Sequence, residues 1–195
     1  MANGIASKQQ PLRFATARAF QAWLRKNHAT SEGVWLLITK AGAGEPTVTY
    51  AHAVEIALCY GWIDGQKKGL DERHWLQRFT PRRARSLWSK ANREKAEALI
   101  ASGRMQPSGM AEIARAQGDG RWQAAYDGPR TAAVPPDLQA ALDARPEASS
   151  FFAQLDGANR YAVLWRVQTA KRPETRARRM EVLVEMLARG EKIHG

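Results

Sequence analysis

The stretch Tyr60–Lys90, YGWIDGQKKGLDERHWLQRFTPRRARSLWSK, constrains the fold more than any other part of the 195-residue chain. Its two halves, Trp62–Gln66 and Arg73–Thr80, are aromatic and apolar. The polar, glycine-containing Lys67–Glu72 between them predicts an antiparallel hairpin. Side chains alternate along a strand, so Trp75, Gln77 and Phe79 share one face and His74, Leu76 and Arg78 the other. Both faces carry apolar atoms, which predicts a hairpin covered on one side and partly on the other. Pro81 has no N–H to donate and ends the ladder. Ser86 or Ser89 then caps a helix running to about Ser102, where Gly103 closes it.

Elements on either side give this hairpin something to pack against. Thr16 reads as the N-cap of a helix to Asn27, with Phe20, Trp23, Leu24 and Asn27 on one face. Gly33–Lys40 is a short apolar, partly β-branched run bounded by glycine and reads as a strand. Ala41–Pro46 is a loop, and Thr49 caps a helix over Tyr50–Tyr60, with Tyr50, Val54, Ala57 and Leu58 as its buried stripe and Gly61 at its end. After Gly103 the strand pattern disappears. Pro107–Gln117 places Met110, Ile113 and Ala114 at helical spacing, and Trp122 and Tyr126 read as anchors for the segment that follows. Asp127–Pro136, DGPRTAAVPP, combines Gly with three prolines and reads as a linker. Beyond it lie four helical stretches, Asp137–Arg145, Pro146–Leu155, Asn159–Ala170 and Pro173–Arg189, with Pro146 and Pro173 in first turns that tolerate proline. In the third, Tyr161, Leu164, Trp165 and Gln168 form the predicted stripe, and in the fourth Val182, Leu183, Met186 and Leu187. The expected fold is α+β: an N-terminal layer of about three antiparallel strands with helices, then an all-helical C-terminal part. The expected domains are a flexible leader over 1–12, an α+β domain over 13–126, a linker over 127–136 and a helical domain over 137–195.

Charge narrows the class of partner. Of the formal net charge of +11, residues 78–104 contribute +6, with eight Lys/Arg against two acids. Such a patch favours anions, whether nucleic acid, acidic lipid or phosphate, although a basic composition also serves solubility alone. The single cysteine allows no internal disulfide and predicts a reducing compartment. No stretch reaches the roughly 20 apolar residues of a membrane span. The N-terminus, MANGIASKQQPLRF, lacks the apolar core of a secretory signal, which predicts a cytoplasmic protein.

Few residues offer chemistry. His28, His52, His74 and His194 have no companion ligands at zinc spacing, so no metal or cofactor is expected. Cys59 reads as a buried, inert thiol. No nucleophile elbow, phosphate-binding loop or dinucleotide fingerprint occurs. Asp64 stands out as an acid among Trp62, Ile63 and Gly65, either ion-paired or held in a partly buried state that would raise its pKa. Ser86, Ser89 and Lys90 lack the spacing of a Ser–Lys pair, so capping is the better account. Two basic sets remain. One comprises Arg78, Arg82, Arg83, Arg85, Lys90 and Arg93, interleaved with Phe79 and Trp88 in the manner that holds phosphates and stacks on bases. The other is Lys171, Arg172, Arg176 and Arg179, which reads first as a solvated face. The candidate binding set is Trp62, Asp64, Trp75, Arg78, Arg82, Arg83, Ser86, Trp88, Lys90, Asn92 and Arg93, with Trp62, Trp75 and Trp88 as walls of a cleft.

The strings ALCYGWIDGQKK, QRFTPRRARSLWSKAN, SGRM, DGRWQAAYD, VPPDLQAAL and AKRPETRARRM, in this order, resemble the YdeI/OmpD-associated family, also called bacteriocin-protection or OmdA-like proteins. The resemblance runs from about Phe14 to Gly190. It implies a small bacterial protein with an α+β N-terminal part and a helical C-terminal part. The family is named for protection against bacteriocins or antimicrobial peptides and for association with an outer-membrane porin, and no catalytic residue comes with it.

Residues and resemblance together give a non-enzymatic stress- or resistance-associated binding protein for an unknown anionic ligand or protein partner. The alternatives are a nucleic-acid binder using segment 78–93 and an enzyme on a small anionic substrate with Asp64 as acid or base. Cationic peptides are repelled by the basic patch, so a resistance role is expected to be indirect.

Overall fold

The structure is a computed structural model and describes residues 10–195. The leader expected over 1–12 therefore lies, for residues 1–9, outside the described residues; Leu12 pairs in parallel with Leu36 through backbone hydrogen bonds. The elements run α1 (Ala17–Asn27), β1 (Val34–Thr39), α2 (Tyr50–Cys59), β2 (Trp62–Gly69), β3 (His74–Pro81), α3 (Lys90–Ala101), α4 (Pro107–Gly118), α5 (Pro136–Asp143), α6 (Pro146–Gln154), α7 (Gly157–Gln168) and α8 (Pro173–Ala188). The fold is α+β, a three-stranded antiparallel sheet of order β1-β3-β2 with an all-helical C-terminal part. Two compact units result, one of residues up to Trp88 together with Asn92–Ala124, the other of Ser89–Ala91 with Ala125–Gly195.

Local signals account for most boundaries in the first unit. Thr16 and Thr49 accept from the amides of Ala19 and His52, each capping its helix as the sequence predicts. Gly61 follows the C-cap Tyr60 of α2, and its φ of 75° suits a residue without Cβ. β3 ends at Pro81. Leu36 and Ile38 of β1, Phe79 of β3, Trp62 of β2, Phe20 and Leu24 of α1, and Val54, Ala57 and Leu58 of α2 are all buried. The rings of Phe20 and Phe79 lie 5.8 Å apart, and Trp23 meets Trp62 edge-on at 6.0 Å.

The structure departs from expectation in four places. β2 runs through Lys67, Lys68 and Gly69, where a connection was expected, because their backbones pair with Gln77, Leu76 and Trp75 whatever their side chains prefer. Tyr50 is exposed instead of lying in the buried stripe of α2, since its hydroxyl donates to Asp64. In α4 the buried residues are Gly109, Ile113 and Ala116, and Met110 and Ala114 face outward. Trp165 and Val182, expected in buried stripes, are exposed.

The second unit is a helical cluster around Leu138, Leu142, Phe152, Val163, Val167, Leu183 and Leu187. α5, α6 and α8 each begin with proline in the first turn. Asp156 caps α7 by accepting from Asn159, and those hydrogen bonds hold its carboxyl below the usual range. Asp127, at the head of the expected linker, accepts from Lys90 at 2.8 Å, and its amide donates to Gln168.

Candidate functional site

The three tryptophans proposed as walls do not share a surface. Trp62 is buried and donates its indole N–H to the carbonyl of His28 at 3.2 Å. Trp88 is 2% exposed and packs edge-on to Trp122 at 4.8 Å. Trp75 is half-buried, with the Tyr50 ring at 5.7 Å and Lys67 Nζ at 4.4 Å above its own ring. Asp64 accepts from the Tyr50 hydroxyl at 2.7 Å and pairs across the ladder with Phe79. It therefore points to the opposite face of the sheet from Arg78.

What does come together is arginine. Arg78, Arg82 and Arg83 line a groove of about 730 Å³ with Glu32, Gly65, Gln66, Thr80 and Pro81. Strand alternation projects Arg78 and Thr80 from one face of β3, while Phe79 between them turns into the core. The near edge comes from a β-bulge: Gly65 and Gln66 together stand opposite Arg78, because the register shifts between Asp64 and Lys67. Buried Gln77 holds that bulge, its Nε2 donating to the carbonyls of Gly65 at 2.9 Å and Gln66 at 3.3 Å. At the far edge a Cβ on Gly33 would lie 2.7 Å from Arg78 Nη2 and from the Phe79 carbonyl, and Gly33 has φ 139°. Only glycine lets the Arg78 guanidinium settle against the backbone there.

The three cations differ in how they are held. Arg82 is 5% exposed, stacks on the Trp88 ring at 3.5 Å and donates through Nη1 to the Leu87 carbonyl. Burial pushes the Arg78 guanidinium below its usual pKa, partly offset by the charge of Glu32. Arg83 is exposed, and its amide donates to Ser86 Oγ in the turn after β3. The groove thus has three arginines and one glutamate among its lining residues, a composition suited to oxyanions that accept paired N–H bonds.

The remaining candidates have other tasks. The Ser86 carbonyl accepts from Arg121 Nη1 at 2.7 Å, and buried Arg121, which sequence reasoning missed, also donates Nε to Asp119. Lys90 pairs with Asp127. Arg93 donates to the Trp122 carbonyl at 3.4 Å and lies 3.8 Å from Glu97, and Asn92 is half-buried in α3. In the second basic set Lys171 and Arg172 are exposed, but Arg176 forms two hydrogen bonds to Asp137, at 2.6 and 2.9 Å, and a third to the Val167 carbonyl. Arg179 donates to the Arg166 carbonyl at 2.8 Å. Cys59 is buried, and burial raises its thiol pKa. Among the described residues no group of three or more His, Cys, Asp or Glu could hold a metal, and no helix is long and apolar enough to cross a membrane.

Glu32, Gly33 and Gln77 completed the groove unannounced. The one available signal was the alternation that set Arg78 and Thr80 apart from Phe79.

Fold and groove define a basic α+β protein with an arginine-lined surface site and a helical C-terminal unit. The chain belongs to the family described as Domain of unknown function (DUF8412), whose model matches residues 12–112, just over half its length. Residues 131–190 match the family described as Bacteriocin-protection, YdeI or OmpD-Associated (OmdA). The resemblance seen in the sequence is therefore carried by the C-terminal unit, and a second family model covers most of the N-terminal stretch. No curated protein and no solved structure matches the chain.

Proposed function

We propose that this chain is a non-enzymatic, cytoplasmic binding protein with a bacteriocin-protection-associated role, and that its ligand is a small oxyanion or an oxyanion-bearing molecule held by Arg78, Arg82 and Arg83. The bacteriocin-protection association comes from the family matched by residues 131–190. The observation that carries the ligand class is the groove itself, in which three arginines face one glutamate across a bulge fixed by Gln77. A lone buried thiol agrees with a reducing compartment.

Binding fits the groove better than turnover. Asp64, the acid considered for catalysis, does not line it and is engaged by Tyr50. The aromatics of segment 78–93 are buried, so base stacking there is closed to them. Protection by direct capture of cationic peptides runs against the charge of the groove, so the role is read as indirect.

The test is titration with inorganic phosphate, followed by the side-chain Nε–H signals of the arginines in NMR. Arg78 and Arg83 should shift saturably, and Arg78→Met should remove the response. Equal, non-saturating shifts of all exposed arginines would leave the oxyanion reading without support. Single-stranded DNA binding that survives Arg78→Met and falls steeply with salt would favour the nucleic-acid alternative.

A further inference from the structure

The helical unit carries a second groove that neither charge runs nor motifs announce. α7 and α8 bury one stripe each through Val163, Val167, Leu183 and Leu187, yet Trp165 keeps 37% and Val182 61% of its surface in solvent. Those two lie outside the stripes a helix needs for its own core. Around them are two neighbouring concavities, of about 600 and 700 Å³, that both count Trp165 and Arg166 among their lining residues and are taken together as one channel. Val182, Met186 and Ile193 line the first, and Tyr126, Ala158 and Tyr161 the second. Along the edge stand Arg166, Arg178, Arg179 and Lys192, and no acidic residue is among the described residues that line either concavity.

Three polar side chains that line the channel already have partners. The Tyr161 hydroxyl donates to the Asp127 carbonyl, and burial pushes its pKa up to about 12, so it stays neutral. Arg166 and Arg179 donate to the carbonyls of Ala162 and Arg166. Arg178 and Lys192 extend into solvent. The floor therefore offers apolar area and an aromatic ring, and the rim offers positive charge.

We propose that this channel is the docking site for an amphipathic protein segment with leucine-like side chains on one face and Asp or Glu along its margins. Two adjoining apolar concavities suit a segment that places anchors in succession, whereas a small molecule is ordinarily enclosed on most sides by one. Charge complementarity selects the acidic margin and rejects a cationic peptide. The channel lies wholly in the second unit, largely within the stretch that carries the bacteriocin-protection match, and it is independent of the oxyanion groove.

The experiment is fluorescence anisotropy on the full chain with labelled helix-forming peptides of about five turns. One has a leucine face with glutamate margins, one replaces the glutamates by lysines, and one keeps the glutamates but lacks the leucines. The acidic leucine peptide should bind with a Kd of about 10–100 μM, and Trp165→Ala and Val182→Asp should each weaken it roughly tenfold. Arg178→Glu combined with Lys192→Glu should reverse the preference in favour of the lysine peptide. Both positions are exposed, and unchanged thermal melts will show that the variants fold. Equal binding of the glutamate and lysine peptides, full binding without the leucines, or binding untouched by Val182→Asp would each overturn the proposal. So would an absence of peptide binding, including the case in which anionic lipid vesicles or single-stranded DNA bind through these residues instead.

Discussion

Arg78, Arg82 and Arg83 in the first unit and Arg176 and Arg179 in the second both read in the sequence as clusters of positive charge, but the fold uses them differently. The first three line an open groove with a single glutamate. Arg176 and Arg179 bind Asp137 and the last carbonyls of α7, so that α8 is tied to α5 and α7. The difference arises from where each chain segment leads. Arg78 projects from a strand face whose alternation sends its neighbours inward, whereas Arg176 lies one turn into a helix that follows directly on another helix's open carbonyl end. Carbonyls at the C-terminal end of a helix attract any nearby donor. Charge counted along a sequence cannot separate an arginine that lines a groove from one that ties helices together.

Removing the platform under the first set is the strongest way to break this contrast. Trp88→Ala should cost about 3–5 kcal/mol, as for large aromatics truncated in a core, and more if Arg82 loses its stacked partner without finding another. Chemical denaturation will measure it, and a loss below about 1 kcal/mol would mean that Trp88 and Arg82 are not the buried pair described.

A smaller effect tests the edge of the groove. Gly33→Ala places a methyl against the backbone carbonyl of Phe79 and the Arg78 guanidinium at a φ of 139°, and strain of that kind costs about 1–3 kcal/mol. The same variant should weaken phosphate binding, because the guanidinium must move. Stability lost with binding intact would separate Gly33 from the site.

Arg176→Ala sharpens the other side of the comparison, with an expected loss of about 1–3 kcal/mol for charge-assisted hydrogen bonds, toward the lower end because the pair is partly exposed. Its pH signature is specific. The hydrogen bonds from Arg176 hold the Asp137 carboxyl below its ordinary 3.8, so the ion pair contributes stability above that value and loses it as pH falls through the depressed folded pKa. Phosphate binding at the first groove should be unaffected. Thermal melts between about pH 2 and pH 6 will show a shallower acid limb in Arg176→Ala than in the parent chain, and identical limbs would refute the assignment.

Much of the fold was legible because its signals are local. Thr16, Thr49, Gly61, Pro81, Pro146 and Pro173 each act on the backbone within a turn of themselves. The extension of β2 through Lys67–Gly69 was not legible, since pairing with β3 overrides the turn preference of those residues. The groove was half visible. Alternation placed Arg78 on the outer face, but Glu32 and Gly33 arrive from before β1, and Gln77 acts through a bulge that hydrophobic pattern does not encode. Trp165 and Val182 misled for a related reason: helical spacing puts them near the stripe, and only the packed neighbours reveal that the core is complete without them.

The smallest expected effect is the most discriminating. Arg83 is exposed and lines the groove, while its backbone amide, which a substitution retains, makes the turn contact with Ser86. Arg83→Ala should therefore change stability by no more than about 0.5 kcal/mol, as for an ordinary surface substitution. Affinity for phosphate should nevertheless fall several-fold, and its dependence on salt should weaken as one screened charge is removed. Arg172→Ala, exposed in the second set, should match Arg83→Ala in stability and leave phosphate affinity unchanged. If both variants weakened phosphate equally, the response would track total charge, and the contrast between groove-lining and helix-tying arginines would fail. If only Arg83→Ala does so, position in the fold decides which of these cations meets a ligand.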